Sequence, residues 1–271
     1  MIGVLIVLAP DAQAQELSSG ELIAQFEENF SKKQLVKFSL NQNENQSSSI
    51  PLNLSELIED EKRLFKKKGW QWQEVEEAVD FAAEKTGVRK NFLIGMLVVE
   101  SDLGRNTGKC SYGEVESGAN ASYSQGRLSS KSWRTFLKRR SLVRRIARNL
   151  GYDYKELRVS CNPSRYVGTG GALGVPQFMP DTWIEYESRV SRIVGKRYPD
   201  PWDLRDGIVA MAVKLSDVPG VTNHNVVSER NAAKLYLSGT TSRRYDWYAN
   251  RILYWATNYG YLLAQSGERE A

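Results

Sequence analysis

The sequence predicts a mainly α-helical protein. Apolar residues recur at intervals of three and four along much of the chain, which is the period of one helix face. A sustained alternation of apolar and polar residues, typical of half-buried strands, is hard to find. With 271 residues, of which 41% are hydrophobic and 25% charged, the chain can bury a core as one large domain with an appendage.

The first residues have the pattern of an export signal. Residues 1–14 combine an apolar run, too short to cross a bilayer, with the small-x-small sequence Ala12-Gln13-Ala14 typical of a cleavage site. An export signal usually has a Lys or Arg before the apolar run, and none is present here. A start assigned too far downstream would explain its absence. We expect export to the periplasm or cell envelope. Because no cysteine follows the run, a lipid anchor is disfavoured.

An N-terminal appendage is predicted for residues 15–50. Within it, residues 16–37 have the pattern of a short amphipathic helix. Residues 41–49 are polar and of low complexity, so they cannot bury much surface and are predicted to form a linker. Residues 51–271 then make up the main domain.

The main domain follows a helical pattern at both ends. Before Gly87, which is expected to end a helix, one apolar face is formed by Val75, Ala78, Val79 and Ala82. Residues 245–263 are predicted to form the last helix, with most of its large side chains in the core: Trp247, Tyr248, Ile252, Leu253, Trp255 and Tyr259. Between them, Asp203 or Asp206 is expected to cap a helix, and a second catalytic carboxylate is the competing interpretation.

Glu100 is the leading candidate for chemistry. It closes the apolar run of residues 92–99. Burial at the end of such a run removes water from the charged carboxylate and raises its pKa, as a proton donor near neutral pH requires. The competing interpretation is that Glu100 turns toward solvent at a helix end.

A second segment, residues 168–183, contains four glycines among its first seven positions and two prolines. Glycine allows backbone angles that other residues avoid and lets a ligand approach closely, while proline stiffens the chain. We therefore expect a rigid cleft wall. A nucleotide-binding loop is the alternative, but Leu173 stands where the third glycine of Gly-x-Gly-x-x-Gly belongs, and no phosphate-loop lysine follows.

Three blocks resemble, in order, the signature blocks of lytic murein transglycosylases. They are Val99-Glu100-Ser101, residues 171–183 (GALGVPQFMPDTW) and residues 232–239 (AAKLYLSG), and the likeness covers residues 74–263. The last block reads Tyr-Leu-Ser-Gly where the family usually has Tyr-Asn-Ala-Gly, so an asparagine role cannot be transferred. The resemblance implies a goose-lysozyme-like helical catalytic domain that acts on murein (peptidoglycan).

The same resemblance implies roles for individual residues. Glu100 would be the single catalytic acid and base, and Tyr236 would lie close to its carboxyl group. Gln177 and Met179 would line the sugar groove. Ser101 and Phe178 complete the predicted substrate-binding set, which consists of Ser101, Gln177, Phe178, Met179 and Tyr236.

A single carboxylate limits the mechanism. Ordinary glycosidases place two carboxyl groups across the scissile bond, whereas Asp102 would point away from Glu100 on a helix. We therefore expect Glu100 to protonate the oxygen between N-acetylmuramic acid and N-acetylglucosamine, with the substrate's N-acetyl group assisting and a 1,6-anhydro sugar as product. A hydrolytic muramidase and a non-catalytic murein-binding protein are the alternatives.

Cysteine and histidine usage narrows the chemistry further. In an exported chain, the pair Cys110 and Cys161 favours one disulfide, which would stabilise the fold by about 3 to 5 kcal/mol. With one histidine, His224, and no metal-ligand spacing, we expect no metal and no cofactor. The same scarcity leaves little support for a serine-hydrolase triad.

Residues 131–148 form a basic amphipathic stretch in a chain of net charge +5. Nucleic-acid contact, a membrane-facing helix and a positive lobe beside a groove for an acidic polymer are the functional interpretations. A solvated face over a buried apolar stripe is the structural one. Nucleic-acid binding ranks lowest because export argues against it, and no membrane span is expected.

Overall fold

The computed structural model describes residues 72–161 and 169–259. The predicted signal peptide and the N-terminal helix with its linker lie outside these residues. Within the described part of the chain the structure is mostly helical, which confirms the mainly α fold class. None of the helices there has the length and apolar character needed to cross a bilayer.

The described residues form eight α-helices, one 3-10 turn and two short strands. In chain order they are α1 (Trp72–Thr86), α2 (Lys90–Ser101), β1 (Cys110–Ser111), α3 (Tyr112–Ser124), α4 (Ser130–Leu150), β2 (Arg158–Val159), α5 (Pro180–Val194), α6 (Leu204–Ser216), α7 (Val226–Ser238), the 3-10 turn Arg243–Tyr245 and α8 (Asp246–Asn258).

The helix boundaries follow the capping residues in the sequence. α1 ends before Gly87, whose φ of 73° is the left-handed conformation that glycine favours. Asp203 precedes α6, and its carboxylate accepts a hydrogen bond from the Asp206 backbone N–H at 3.0 Å. The capping prediction is confirmed for Asp203, whereas Asp206 lies inside the helix with a buried side chain paired to Lys196 at 2.8 Å.

Helix α2 lies at the centre of the core. Its residues 92–98 are all buried, and it packs against α8, α1 and α6. The closest approach is to α8, because a Cβ atom at Gly95 would overlap the backbone carbonyl oxygen of Ile252. Glycine at this position lets the two helix backbones lie side by side.

A disulfide joins Cys110 and Cys161, with 5.1 Å between their Cα atoms, and this confirms the predicted bridge. It lies beside the antiparallel pair β1 and β2, in which Cys110 faces Val159. The glycine-rich segment is hydrogen-bonded to the end of this strand pair. The Gly171 N–H donates to the carbonyl of Ser160, the residue after β2, at 2.8 Å. The disulfide thus ties the start of that segment to the strand pair.

The basic stretch is one helix, α4, and half of its cations are neutralised. Arg139 binds Asp181 through two hydrogen bonds of 2.9 and 3.0 Å, and Arg140 binds Glu116 at 2.6 Å. Arg144 and Arg145 lie 3.8 and 3.9 Å from carboxylates. The other four, Lys131, Arg134, Lys138 and Arg148, are exposed. For the paired residues, the ion pairs favour the structural interpretation.

Candidate active site

Glu100 lies one residue before the end of α2, where the chain leaves the core. The next residues, Asp102 and Leu103, have φ values of 53° and 57°, so the helix ends in left-handed backbone. The Asp102 carboxylate is buried and lies 3.1 Å from the guanidinium group of Arg105. Asp102 therefore pairs with a cation in the loop, consistent with the expectation that it points away from Glu100.

The Glu100 carboxyl group is held in a largely desolvated position. Burial raises its pKa from 4.5 to about 7, while a hydrogen bond from Tyr248 and the positive charge of Lys214 oppose that rise. The Tyr248 hydroxyl, on α8, donates to Oε1 of Glu100. The residue keeps part of its surface exposed, so solvent or a ligand can reach it. A carboxyl group with this pKa can hold its proton near neutral pH.

Tyr236 lies near Glu100 but is bonded elsewhere. Its hydroxyl donates to the Pro176 carbonyl oxygen at 2.5 Å, which ties α7 to the glycine-rich segment. Burial and the negative charge of Glu100 raise the pKa of Tyr236 well above its usual value. Tyr248, rather than Tyr236, supplies the direct hydrogen bond to the carboxyl group.

The glycine-rich segment turns tightly beside this site. Gly174 has a φ of 60°, and a Cβ atom there would overlap the Pro201 carbonyl oxygen, so only glycine fits. A bridge between Leu173 and Phe178 closes the turn. Gln177 also has a positive φ, of 51°, and its Nε2 donates to the Gly174 carbonyl at 2.7 Å. The amide side chain braces the turn from within.

Apart from Tyr236, the residues predicted to bind substrate divide into an exposed pair and a buried pair. Gln177 and Met179 are partly exposed, so they can contact a ligand. Ser101 and Phe178 are 0% and 2% exposed. The Ser101 hydroxyl accepts from the Gly104 N–H at 3.2 Å, and the Phe178 ring packs 5.5 Å from the Tyr236 ring. Their burial points to structural roles and gives no support to the substrate contact predicted for them.

Lys214, on α6, is a cation whose positive charge acts to lower the pKa of Glu100. Its Nζ lies 4.4 Å from the ring centroid of Tyr236 and 5.1 Å from that of Phe178. It donates a hydrogen bond of 3.4 Å to the Tyr236 backbone carbonyl. Burial lowers the pKa of Lys214, while the charges of Glu100 and Glu185 oppose that shift.

Among the described residues, no second carboxylate contributes to the pKa shift of Glu100. The groups that shift its pKa are Tyr248 and Lys214, one a neutral donor and the other a cation. In residues 72–161 and 169–259, no group of three or more His, Cys, Asp or Glu side chains is placed to hold a metal ion. This arrangement can donate one proton from a neutral carboxyl group and take one back as a carboxylate.

Comparison with known families agrees with this geometry. Residues 5–218 match the family model of the transglycosylase SLT domain, which is most of the chain. The chain belongs to this family. The sequence resemblance to lytic transglycosylases is therefore confirmed. The matched range begins well before residue 74, where the predicted likeness begins, and ends at residue 218, before the block at residues 232–239. The family likeness thus extends further toward the N-terminus than we expected.

Solved structures of lytic transglycosylases are similar to this transglycosylase SLT chain. For the soluble lytic transglycosylase SltB1 from Pseudomonas aeruginosa, the sequence identity is 20% and the TM-score 0.45, with 76% of this chain and 63% of SltB1 covered. For the Escherichia coli lytic transglycosylase Slt35, the identity is 20% and the TM-score 0.43, with 72% and 57% covered. The chain spans less than two thirds of the length of either structure. A search of curated proteins found no match.

Two of the groups around Glu100 in this transglycosylase SLT chain, Tyr248 and Lys214, are not predicted from the sequence. Tyr248 was assigned to the core with its neighbours on α8, and Lys214 was not singled out. Tyr248 is buried, as predicted, and only its hydroxyl makes it part of the site. The adjacent Trp247, also predicted to lie in the core, is 42% exposed. No local signal marks either group, because helix packing brings both of them into the surroundings of Glu100.

Proposed function

We propose that this chain is a peptidoglycan lytic transglycosylase that cleaves the β-1,4 bond between N-acetylmuramic acid and N-acetylglucosamine without water. Membership of the transglycosylase SLT family supports the substrate class. The observation that carries the proposal is the Glu100 carboxyl group, whose pKa burial raises to about 7 and on which no other carboxylate in residues 72–161 and 169–259 acts. The cell envelope is the compartment where such a substrate occurs.

In the first step, neutral Glu100 donates its proton to the glycosidic oxygen. The bond between C1 of the muramic acid residue and that oxygen breaks, and the bonding electrons leave with the N-acetylglucosamine hydroxyl. The N-acetyl carbonyl oxygen of the muramic acid residue stabilises the positive charge that develops at C1. This assistance takes the place of the second carboxylate of an ordinary glycosidase.

In the second step, the C6 hydroxyl of the same sugar attacks C1 and forms the 1,6-anhydro ring. The hydroxyl proton passes to the Glu100 carboxylate, which restores the starting state. Tyr248 supports this cycle because its hydroxyl hydrogen bond favours the charged form of Glu100 between the two steps. One carboxyl group therefore serves as acid and then as base.

Mass spectrometry of the muropeptides released from purified sacculi tests the proposal. We expect products that end in 1,6-anhydro-N-acetylmuramic acid. Products with a reducing-end sugar would instead identify a hydrolytic muramidase, since water then attacks C1. Absence of any release, with a known muramidase active on the same sacculi, would leave a murein-binding protein.

Replacing Tyr248 with phenylalanine should shift the alkaline limb of the kcat/KM profile, expected near pH 7 in the wild type, to higher pH. The variant loses the hydroxyl that favours ionised Glu100, so the pKa of Glu100 rises, by about one pH unit for a charge-assisted hydrogen bond. We expect kcat to fall about tenfold, because the carboxylate formed in the first step is less stable.

The matched control is Tyr236→Phe. This variant also removes a buried tyrosine hydroxyl, but one that donates to Pro176. It should lower the free energy of unfolding by about 1 to 3 kcal/mol, because the Pro176 carbonyl loses its partner, and it should move the alkaline limb less than Tyr248→Phe does, because its hydroxyl does not bond Glu100. Equal pH profiles for Tyr248→Phe and the wild type would remove Tyr248 from the mechanism.

A further inference from the structure

Lys214 occupies an unusual position for a lysine. Its ammonium group lies over the faces of two aromatic rings, 4.4 Å from the Tyr236 centroid and 5.1 Å from the Phe178 centroid. Its one hydrogen bond within the described residues is the contact of 3.4 Å with the Tyr236 carbonyl oxygen, and it forms no direct ion pair there. Withdrawing part of a charged ammonium group from water costs free energy, which the ring faces and the carbonyl oxygen offset only in part.

The charged and titratable groups that face this region come from four helices. Helix α6, which carries Lys214, packs against α2 and α5, which carry Glu100 and Glu185, and the charges of both carboxyl groups oppose the lowering of the Lys214 pKa by burial. Glu100 in turn interacts with Lys214 and with Tyr248 on α8, and its charge is felt by Tyr236 on α7. Arg251 acts on Tyr248. Because Glu185 is exposed to solvent, Glu100 is the less screened of the two acids that Lys214 interacts with.

The aromatic contacts hold this cation in place. Phe178 follows directly on the glycine-rich turn, and its ring is in contact with the rings of Tyr186 and Tyr236. Tyr236 is fixed at its hydroxyl by Pro176. Cation–π attraction and one backbone carbonyl therefore position the ammonium group without neutralising its charge. Its positive charge is left to act on the Glu100 carboxyl group.

We propose that Lys214 is a positioning residue for Glu100, whose ammonium group stabilises the carboxylate that Glu100 becomes after donating its proton. The inference rests on the proposed function, and it adds an electrostatic partner that compensates for the absence of a second carboxylate. During the first step the cation lowers the free energy of the ionised acid. During the second step it limits how strongly Glu100 holds the returning proton.

Lys214→Met tests the charge while keeping an unbranched apolar side chain of similar length. The alkaline limb of the kcat/KM profile should move upward by about one pH unit, because the remaining effects on Glu100 are burial and Tyr248. At pH 5, where Glu100 is protonated in both proteins, kcat should fall about tenfold. Lys214→Arg keeps the charge and should stay near the wild-type profile.

The matched control is Lys90→Met, at the opposite end of the same helix as Glu100. Lys90 is paired with Glu76 and Asp80 at 2.8 Å, so its loss removes a lysine charge without touching the site. Its alkaline limb should coincide with that of the wild type. An unchanged limb in Lys214→Met, with wild-type protein active and Glu100→Gln inactive, would overturn the inference while leaving the proposed function intact.

A second measurement does not depend on turnover. The carboxyl carbon of Glu100 can be followed by nuclear magnetic resonance in protein labelled at glutamate, with the signal assigned by its absence in Glu100→Gln. We expect its titration midpoint to be higher in Lys214→Met than in the wild type, in folded protein confirmed by circular dichroism. Identical midpoints would overturn the inference even if the chain proved inactive on sacculi.

Discussion

Glu100→Gln should reduce the cleavage of peptidoglycan by about a thousandfold or more. Glutamine keeps the shape of the side chain and can still bond Tyr248, but it has no acidic proton to donate and cannot act as a base. General acid–base catalysis by one group contributes about 10² to 10⁴ in rate, and here one group serves both steps. The measurement is dye release from labelled sacculi, followed by muropeptide analysis. Retained cleavage would refute the proposed mechanism.

Glu187→Gln provides the matched control for this variant. Burial also raises the pKa of Glu187, but its charged neighbour is Arg145 on α4 rather than a group around Glu100. It is therefore a half-buried helical carboxyl group outside the site. We expect its activity to remain within about twofold of the wild type, since surface substitutions away from special features have small effects.

The stability of Glu100→Gln separates a chemical defect from a folding defect. In the wild type the pKa of Glu100 is 4.5 unfolded and about 7 folded, so the folded state holds this proton more tightly. That contribution to stability is fully present below pH 4.5 and is lost as the pH rises through 7. Glutamine does not titrate. Relative to the wild type, the variant should therefore gain stability between these pH values, measured by urea unfolding.

Removing the disulfide, with both Cys110 and Cys161 replaced by serine, should lower the free energy of unfolding by about 4 kcal/mol. The bridge joins residues 51 positions apart, and in the chain-entropy model closing a loop of that length restricts the unfolded chain by this amount. The measurement is urea unfolding at pH 7 of the oxidised wild type and the double variant. A loss below about 1 kcal/mol would contradict the expectation.

The same double variant should also loosen the glycine-rich segment. Cys161 follows Ser160, whose carbonyl and hydroxyl groups accept from the N–H groups of Gly171 and Ala172 at 2.8 and 2.9 Å. We expect amide exchange at these two positions to be faster in the double variant than in the wild type, with no such difference in helix α6. A matched control is Ser111→Ala, which removes the side-chain cap of α3 beside Cys110 and should cost about 1 kcal/mol.

Much of the fold could be predicted because helix signals are local. The apolar face before Gly87, the cap at Asp203 and the basic helix α4 each depend on residues within a few positions of one another. The predicted last helix begins within one residue of the expected position, and residues 260–263 lie outside the described part. Two cysteines allow only one pairing, so the prediction of this bridge needed no tertiary information.

The surroundings of Glu100 were harder to predict because they come from distant parts of the chain. Glu100 itself could be found, since an acid at the end of an apolar run is visible in the sequence. Tyr248 lies 148 positions away and is one of many aromatic residues on an amphipathic helix. The resemblance pointed to Tyr236, which is indeed nearby, but the direction of a hydroxyl group depends on side-chain packing that no sequence pattern records.

The bare backbone at Gly95 has a consequence for how the acid and its donor move. At Gly95, helix α2 faces the backbone of Ile252 and the backbone and methyl group of Ala256 on α8, with no longer side chain among these nearest atoms. Glu100 lies about one and a half turns beyond Gly95, and Tyr248 about one turn before Ile252, on the two elements so joined. Because the two helices are in backbone contact at this point, a shift of one against the other is restricted, and so is separation of the Tyr248 hydroxyl from the Glu100 carboxyl group.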